Sequence, residues 1–235
     1  MSKSVWFLKI GNSRIIAWDG KRRFISSERV GFNSRLFLKK LSRIKAIYFF
    51  SVVPSISKEI QKECRLKKIE CYEIKSSDIP VRAAYQKNIG IDRLMNVYAA
   101  SLQTKKPLVV MDVGTALTVD FLSASRKHLG GWISAGPHLV SKALHGYTAK
   151  LPLVAPQRIN KTFGKSTRES LQVGHRAFLH GMILEVRLVA KNIFGSSFEF
   201  FVTGGGAALI SDKKTMKVDH LALKGLKQLQ RSLKN

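Results

Sequence analysis

The chain has 235 residues, 45% of them hydrophobic, enough for a sizeable buried core in one large domain or two small ones. Forty-one basic residues against fifteen acidic give a net charge of +26, which reads either as a solvated basic surface or as an invitation to an anionic partner such as nucleic acid. Composition excludes a membrane span, since no apolar run approaches roughly 18 residues; with two cysteines it excludes a disulfide framework, and no His/Cys cluster has zinc-site spacing.

In chain order, an apolar run at 5–8 enters a Gly11-Asn12-Ser13 turn and leaves as a second run at 15–18, which reads as strand, tight turn, strand. The run before the turn is too short for a secretory signal, so a cytoplasmic protein with free thiols is expected. Residues 46–53 read as a continuous apolar strand ended by Pro54, followed by a polar helical segment at 57–66. Helical periodicity at 91–103 closes in a basic, proline-containing stretch, and a new strand begins at 108–111. A strand at 198–202 runs into Thr203-Gly204-Gly205. At the carboxy terminus, Leu226, Leu229 and Leu233 alternate with a stripe of Lys224, Lys227, Arg231 and Lys234, the pattern of an amphipathic helix with a basic outer face. Strands alternating with helices predict an α/β protein, divided near Lys105 and Pro107 into halves 1–104 and 105–235.

The first phrase repeats. Laying Gly11 on Gly114 aligns Leu8 with Met111, Ile10 with Val113, Asn12 with Thr115 and Ile16 with Val119, and puts Lys9 on Asp112. A duplicated unit with two turns facing each other across a cleft is the expected architecture. Such turns suit phosphate: glycine lets the backbone come close, N–H groups and a Ser or Thr hydroxyl donate to phosphate oxygens, and a neighbouring Asp can hold a cation. Gly164-Lys165-Ser166 resembles the end of a Walker A motif, but the first glycine of that motif would fall at Ile159, so the motif is rejected. The six histidines show no paired spacing that suggests a metal or a triad.

Together these stretches resemble the superfamily of acetate and sugar kinases, Hsp70 and actin, and within it the type III pantothenate kinases. The resemblance rests on Ile10-Gly11-Asn12-Ser13-Arg14-Ile15, Gly90-Ile91-Asp92-Arg93, Asp112-Val113-Gly114-Thr115-Ala116, Gly130-Gly131-Trp132-Ile133, Leu151-Pro152, Gly164-Lys165-Ser166-Thr167 and Thr203-Gly204-Gly205, in collinear order over nearly the whole chain. It implies duplicated ribonuclease H-like, actin-like ATPase domains and the phosphorylation of pantothenate by ATP. It implies further that Asp92 accepts the proton of the attacking hydroxyl, that Gly90, Ile91, Asp92, Arg93 and Thr167 contact pantothenate, and that Asp112 holds a monovalent cation, potassium or ammonium. Lys9, Ile10, Gly11, Asn12, Ser13, Arg14, Ile15 and Ile16 would cover the first ATP-phosphate segment, with Thr115 a further ATP contact. Magnesium would arrive with ATP, and a homodimer is expected.

The sequence also departs from that family. Lys9 stands where the family has an aspartate that helps to hold the magnesium–ATP phosphates. A lysine has three donors and no lone pair, so it cannot ligate a cation, although its charge can meet a phosphate directly. Tyr85, the candidate for the family's substrate tyrosine, stands five residues before Gly90 instead of seven, and the family's proline is absent. Gly206 stands where an acid often follows the glycine turn, and Ala135 where proline is usual. The alternatives are a degenerate homologue that binds ligand but phosphorylates poorly, acting as a regulator, and a nucleic-acid-binding role drawn from the charge.

Overall fold

The computed structural model describes residues 4–83 and 89–233 and divides the chain into two compact units, Met1–Gln103 with His220–Asn235, and Thr104–Asp219. In the first unit, β1 (Ser4–Ile10), β2 (Arg14–Trp18) and β3 (Phe24–Glu28) form an antiparallel meander. β4 (Ile44–Ser51) and β5 (Glu70–Glu73) join in parallel on the other side of β1, giving the order β3-β2-β1-β4-β5. Helix α1 (Ser34–Lys40) precedes β4, α2 (Pro54–Leu66) connects β4 to β5, and after the two-residue strand β6 (Arg82–Ala83) comes α3 (Ile91–Ser101).

Strand alternation decides which helix covers which face. Trp6, Leu8 and Ile10 of β1, with Ile47 and Phe49 of β4, pack on Phe37 and Leu38 of α1 and on Ile56, Ile60 and Cys64 of α2. The intervening residues Phe7, Ala46, Tyr48 and Phe50 pack instead with Leu94, Met95 and Tyr98 of α3. Each such large side chain contributes about 1.5–3 kcal/mol by leaving water, so both faces are strongly specified. Lys9 falls in the second alternation class, on the sheet face that receives α3. The strand read from sequence at 46–53 stops at Ser51, because Ser51 Oγ accepts the Val53 N–H at 2.9 Å and Pro54 opens the helix at once. Proline has no N–H to lose in a first turn and its φ is already helical, so α2 starts three residues before the expected Ser57.

The second unit repeats the plan. β7 (Leu108–Val113), β8 (Ala116–Leu122) and β9 (Lys127–Ala135) form the meander, with β10 (Glu199–Thr203) and β11 (Met216–Lys217) parallel on the other side of β7. The order β11-β10-β7-β8-β9 is that of the first unit read in reverse. Val109, Met111 and Val113, which the sequence repeat lays on Trp6, Leu8 and Ile10, again face a helical layer: Leu179, Ile183, Val186 and Ala190 of a 28-residue helix, plus Ala207 and Ile210. Between β9 and β10 run α4 (Pro137–Gly146) and that long helix, α5 (Thr167–Phe194). Ser166 caps α5 by accepting the Glu169 N–H at 3.2 Å, and Gly195, at φ +71, closes it. Inside the sheet, His128 Nε2 and Asp120 Oδ1 meet at 2.7 Å with both side chains almost fully buried.

The last helix, α6 (Leu221–Ser232), belongs to the first unit, although the sequence reading placed it with the second half. Leu223, Leu226 and Leu229 enter the core made by Phe7, Tyr48 and α3. Gly225 allows the close crossing: a Cβ there would lie 2.7 Å from Ala99 Cβ and 3.1 Å from the Met95 carbonyl oxygen. The basic face of α6 is partly structural as well, since Lys227 Nζ donates to the Gly20 carbonyl at 2.6 Å and sits 5.2 Å from the Trp18 ring centre. Among the described residues no helix is long and apolar enough to cross a membrane.

Candidate active site

Two hairpin turns occupy equivalent places in the two sheets. In the first, the Gly11 N–H donates to the Arg14 carbonyl at 2.9 Å, and in the second the Gly114 N–H donates to the Ala116 carbonyl at 3.1 Å. Ile10 and Ile15 are fully buried, while Asn12, Ser13 and Arg14 are exposed, so the sequence anchors the segment at both ends and offers its middle to solvent. The second turn is one residue shorter: Ile10 pairs with Ile15, but Val113 pairs with Leu117. The repeat therefore holds up to the glycine and then slips. Opposite Lys9 stands Ile16, and opposite Asp112 stands Thr118, not the Val119 that the alignment gave.

Around the second turn the backbone is packed to its limit. Gly204 adopts φ +92, and a Cβ there would collide with Asp112 Oδ1 and lie 2.7 Å from the Val113 carbonyl oxygen. Gly136, at the start of α4, donates its N–H to the Thr115 carbonyl at 2.9 Å, and a Cβ there would collide with the Gly114 carbonyl oxygen. Gly206, where an acid was the family expectation, donates to the Val113 carbonyl at 2.8 Å, and a Cβ would sit 2.6 Å from Val113 Cγ1. Asp112, Gly114, Thr115, Gly136 and the Thr203-Gly204-Gly205 turn thus form one cradle in the second unit. A carboxylate beside several carbonyl oxygens is a hard donor set, suited to hard cations and unsuited to soft metals. Gly136 was missed by sequence reasoning; the Ala135-Gly136-Pro137 triplet, a glycine immediately before a helix-starting proline, was the available signal.

In the first unit, Gly90-Ile91-Asp92-Arg93 forms the amino-terminal turn of α3, with Gly90 as its cap residue. Asp92 is half-buried, and its Oδ1 accepts the Arg93 N–H at 3.0 Å. A Cβ at Gly90 would lie 2.7 Å from that same oxygen, so glycine here keeps the carboxylate accessible along the chain. Arg93 is almost fully buried, at 5% exposure, which holds its stem in one direction. Lys9 and α3 share the same face of the sheet. Tyr85 lies outside the described residues.

Thr167, the first residue of α5, lines a cavity of about 410 Å³ together with Val140, Leu144, Leu171, His175 and Phe178. His175 is 4% exposed and neither ring nitrogen has a hydrogen-bond partner. Burial lowers its pKa below the usual histidine value, and the nearby His138 lowers it further, so the ring is neutral at pH 7. Among the described residues no group of three or more His, Cys, Asp or Glu side chains is placed to hold a metal ion.

A doubled five-strand unit with a glycine turn after each first strand defines an α/β protein of the ribonuclease H-like, actin-like ATPase class. The structure is similar over 98% of the chain to a Campylobacter jejuni protein classed with the Baf family of transcriptional activators, with a TM-score of 0.72 at 20% identity and 99% of that chain covered. It is similar over 97% of the chain to an archaeal actin homolog, with a TM-score of 0.54 at 10% identity and 99% of that chain covered. The family profile described as type III pantothenate kinase matches residues 8–189. Type III pantothenate kinases of Persephonella marina (32% identical, 77% of this chain and 72% of theirs) and Paramagnetospirillum magneticum (31% identical, 94% of each) cover the same ground. The chain belongs to the type III pantothenate kinase family.

Proposed function

We propose that the protein transfers the γ-phosphoryl group of ATP to the primary hydroxyl of pantothenate, giving 4′-phosphopantothenate, the first step of coenzyme A synthesis. The observation that carries this reading is Asp92: a half-buried carboxylate at the start of α3, oriented by the Arg93 N–H, in a chain that matches the pantothenate kinase family over both phosphate turns. Phosphoryl transfer asks the protein mainly for positioning and charge neutralisation, and a carboxylate near the nucleophile orients the hydroxyl and accepts its proton.

The other roles follow from chemistry at each position. Gly90, Ile91 and Arg93 bind pantothenate beside Asp92, with the guanidinium for the substrate carboxylate. Thr167 adds a contact at the head of α5, and Tyr85 is assigned to the same substrate. The Gly11–Arg14 turn, flanked by Ile10, Ile15 and Ile16, and Thr115 in the second turn, receive the phosphates of ATP. Asp112 with its neighbouring carbonyls fits a potassium or ammonium ion, which would supply fixed positive charge against the phosphates. Magnesium is carried by ATP itself: Lys9 does not fit as a ligand, and its ammonium takes a phosphate oxygen instead. The protein works as a homodimer in the cytoplasm.

The test is a coupled assay with ATP, magnesium, potassium and pantothenate, run beside Asp92→Asn. Loss of about 10²–10⁴-fold in turnover with retained fold supports the assignment. Unchanged turnover in Asp92→Asn, or no product from folded protein, overturns it.

A further inference from the structure

Both cysteines lie on one seam of the first unit, between α2 and β5. Cys64 is in the last turn of α2 and has no exposed surface, whereas Cys71 on β5 is half-buried. The backbone brings them together. The Ile69 N–H donates to the Cys64 carbonyl at 2.9 Å, which folds the chain back on the end of the helix, and Lys68 takes the left-handed turn position at φ +52 to do it. Strand alternation then turns Ile69 and Cys71 to the same side, where both pack on the core that contains Cys64. One turn earlier on α2, Gln61 Nε2 donates to Glu73 Oε2 at 3.0 Å, and Glu73 is the next residue of β5 on Cys71's side, so the seam is pinned beside the thiols. Both side chains thus belong to one packed layer of that core.

We propose that Cys64 and Cys71 form a reversible oxidation site that closes to an intramolecular disulfide when hydrogen peroxide reaches the protein. The thiolate attacks a peroxide oxygen, the O–O bond breaks, and hydroxide leaves with the electron pair, giving a sulfenic acid. The second sulfur attacks that sulfenic sulfur, an S–S bond forms, and water leaves. In sum, two thiols lose two electrons and two protons, and one peroxide becomes two waters. A dithiol reductant reverses the reaction through a mixed disulfide.

The surroundings favour this chemistry over slow oxidation of isolated thiols. A thiolate is the reactive form. The neighbouring Cys71 thiol lowers the pKa of Cys64, against the opposing effects of burial and of Glu63, while Cys64 and burial raise Cys71. The pair therefore gives up its first proton more easily than a single buried thiol would, and holds the second. Glu63 and Glu73 are the acids facing the pair; Lys75, 2.6 Å from Glu73, offsets one of them. Partial exposure of Cys71 gives a small oxidant its approach, and the fold of the chain back onto the end of α2 holds the second thiol on the same seam before oxidation starts.

Mass spectrometry tests the proposal, because three basic residues, Arg65, Lys67 and Lys68, separate the cysteines. Full-length folded protein treated with hydrogen peroxide, alkylated and digested with trypsin should yield residues 63–65 disulfide-linked to 69–75. Both thiols should vanish from titration together and return on treatment with dithiothreitol. Cys71→Ser and Cys64→Ser should each leave a thiol that oxidises at least tenfold more slowly, and circular dichroism keeps a folding defect from passing as support. Persistence of both free thiols, a sulfinic acid on either, a disulfide between two chains, or equal oxidation rates in the single variants would each overturn the proposal.

Discussion

The carboxylate of Asp112 fills the space that a side chain at position 204 would need: Oδ1 stands where the Cβ of anything but glycine would collide. Asp112 lies opposite Thr203 on the neighbouring parallel strand, so Gly204 comes one residue past that pair. The glycine turn after β10 is thus also the wall against which the Asp112 carboxylate rests.

Gly204→Ala should disable that arrangement. Its φ of +92 already strains any other residue, by about 1–3 kcal/mol, and the added methyl pushes the Asp112 carboxylate or the Val113 carbonyl aside. A displacement of that kind is expected to lower kcat/KM by about 100-fold, with part of the loss appearing as a weaker response to potassium. Steady-state kinetics with and without potassium check it. A variant as active and as potassium-dependent as the parent would show that the cradle tolerates the shift and that Asp112 is not its key member.

Lys9 yields a second prediction, because it stands on the strand that leads into the first turn, where the family resemblance implies an acid. If its ammonium meets a phosphate oxygen, Lys9→Met removes a charge-assisted hydrogen bond of about 1.5–3 kcal/mol. The corresponding fall in kcat/KM for ATP is about 10–100-fold, with KM for pantothenate little changed. Lys9→Asp should do worse at low magnesium and recover in part as magnesium rises. A large gain in turnover for Lys9→Asp would show instead that the lysine impairs the native site.

The repeat was legible because the chemistry of a glycine turn between two apolar strands is local: Leu8 on Met111 and Ile10 on Val113 needed only alternation. The slip of one residue after Gly114 was not legible, since turn length is set by the hydrogen bond from Gly114 to Ala116, which no side chain announces. The place of α6 was hidden for a different reason. Its leucines declare a buried face but not the partner, and only the small surface of Gly225 against Ala99 hints at a close helix crossing. The pair of Asp120 and His128 depends on a register irregularity between Phe121 and Leu122, which brings residues eight apart in sequence within 2.7 Å.

Gly225 offers a test of that helix crossing. Gly225→Val would bring a branched side chain onto Ala99 and the Met95 carbonyl, where a single Cβ already lies at 2.7 Å and 3.1 Å. Overpacking of this kind typically costs about 1–3 kcal/mol, and the strain falls on α3, the helix whose first turn carries Asp92. Chemical denaturation should show the loss, with pantothenate KM rising more than ATP KM. A variant of parental stability would mean that α6 can slide along α3 without penalty.

Acid sensitivity supplies the last prediction, through His175. Burial and the neighbouring His138 lower its pKa in the folded protein, whereas the unfolded chain should titrate near the usual value of about 6.5. Between those two values the unfolded state binds the proton and the folded state does not, so stability rises with pH across that window. Above about pH 6.5 both states are neutral and the contribution is constant; as the pH falls below it, stability is lost until the folded ring also protonates. His175→Leu removes that proton uptake from the unfolded chain while keeping an apolar side chain against Phe178 and Leu171 in the cavity. Urea midpoints at pH 7.5 and 5.5 should therefore differ less in His175→Leu than in the parent, and His138→Gln should lie between them. Equal pH slopes in all three proteins would place the acid sensitivity elsewhere.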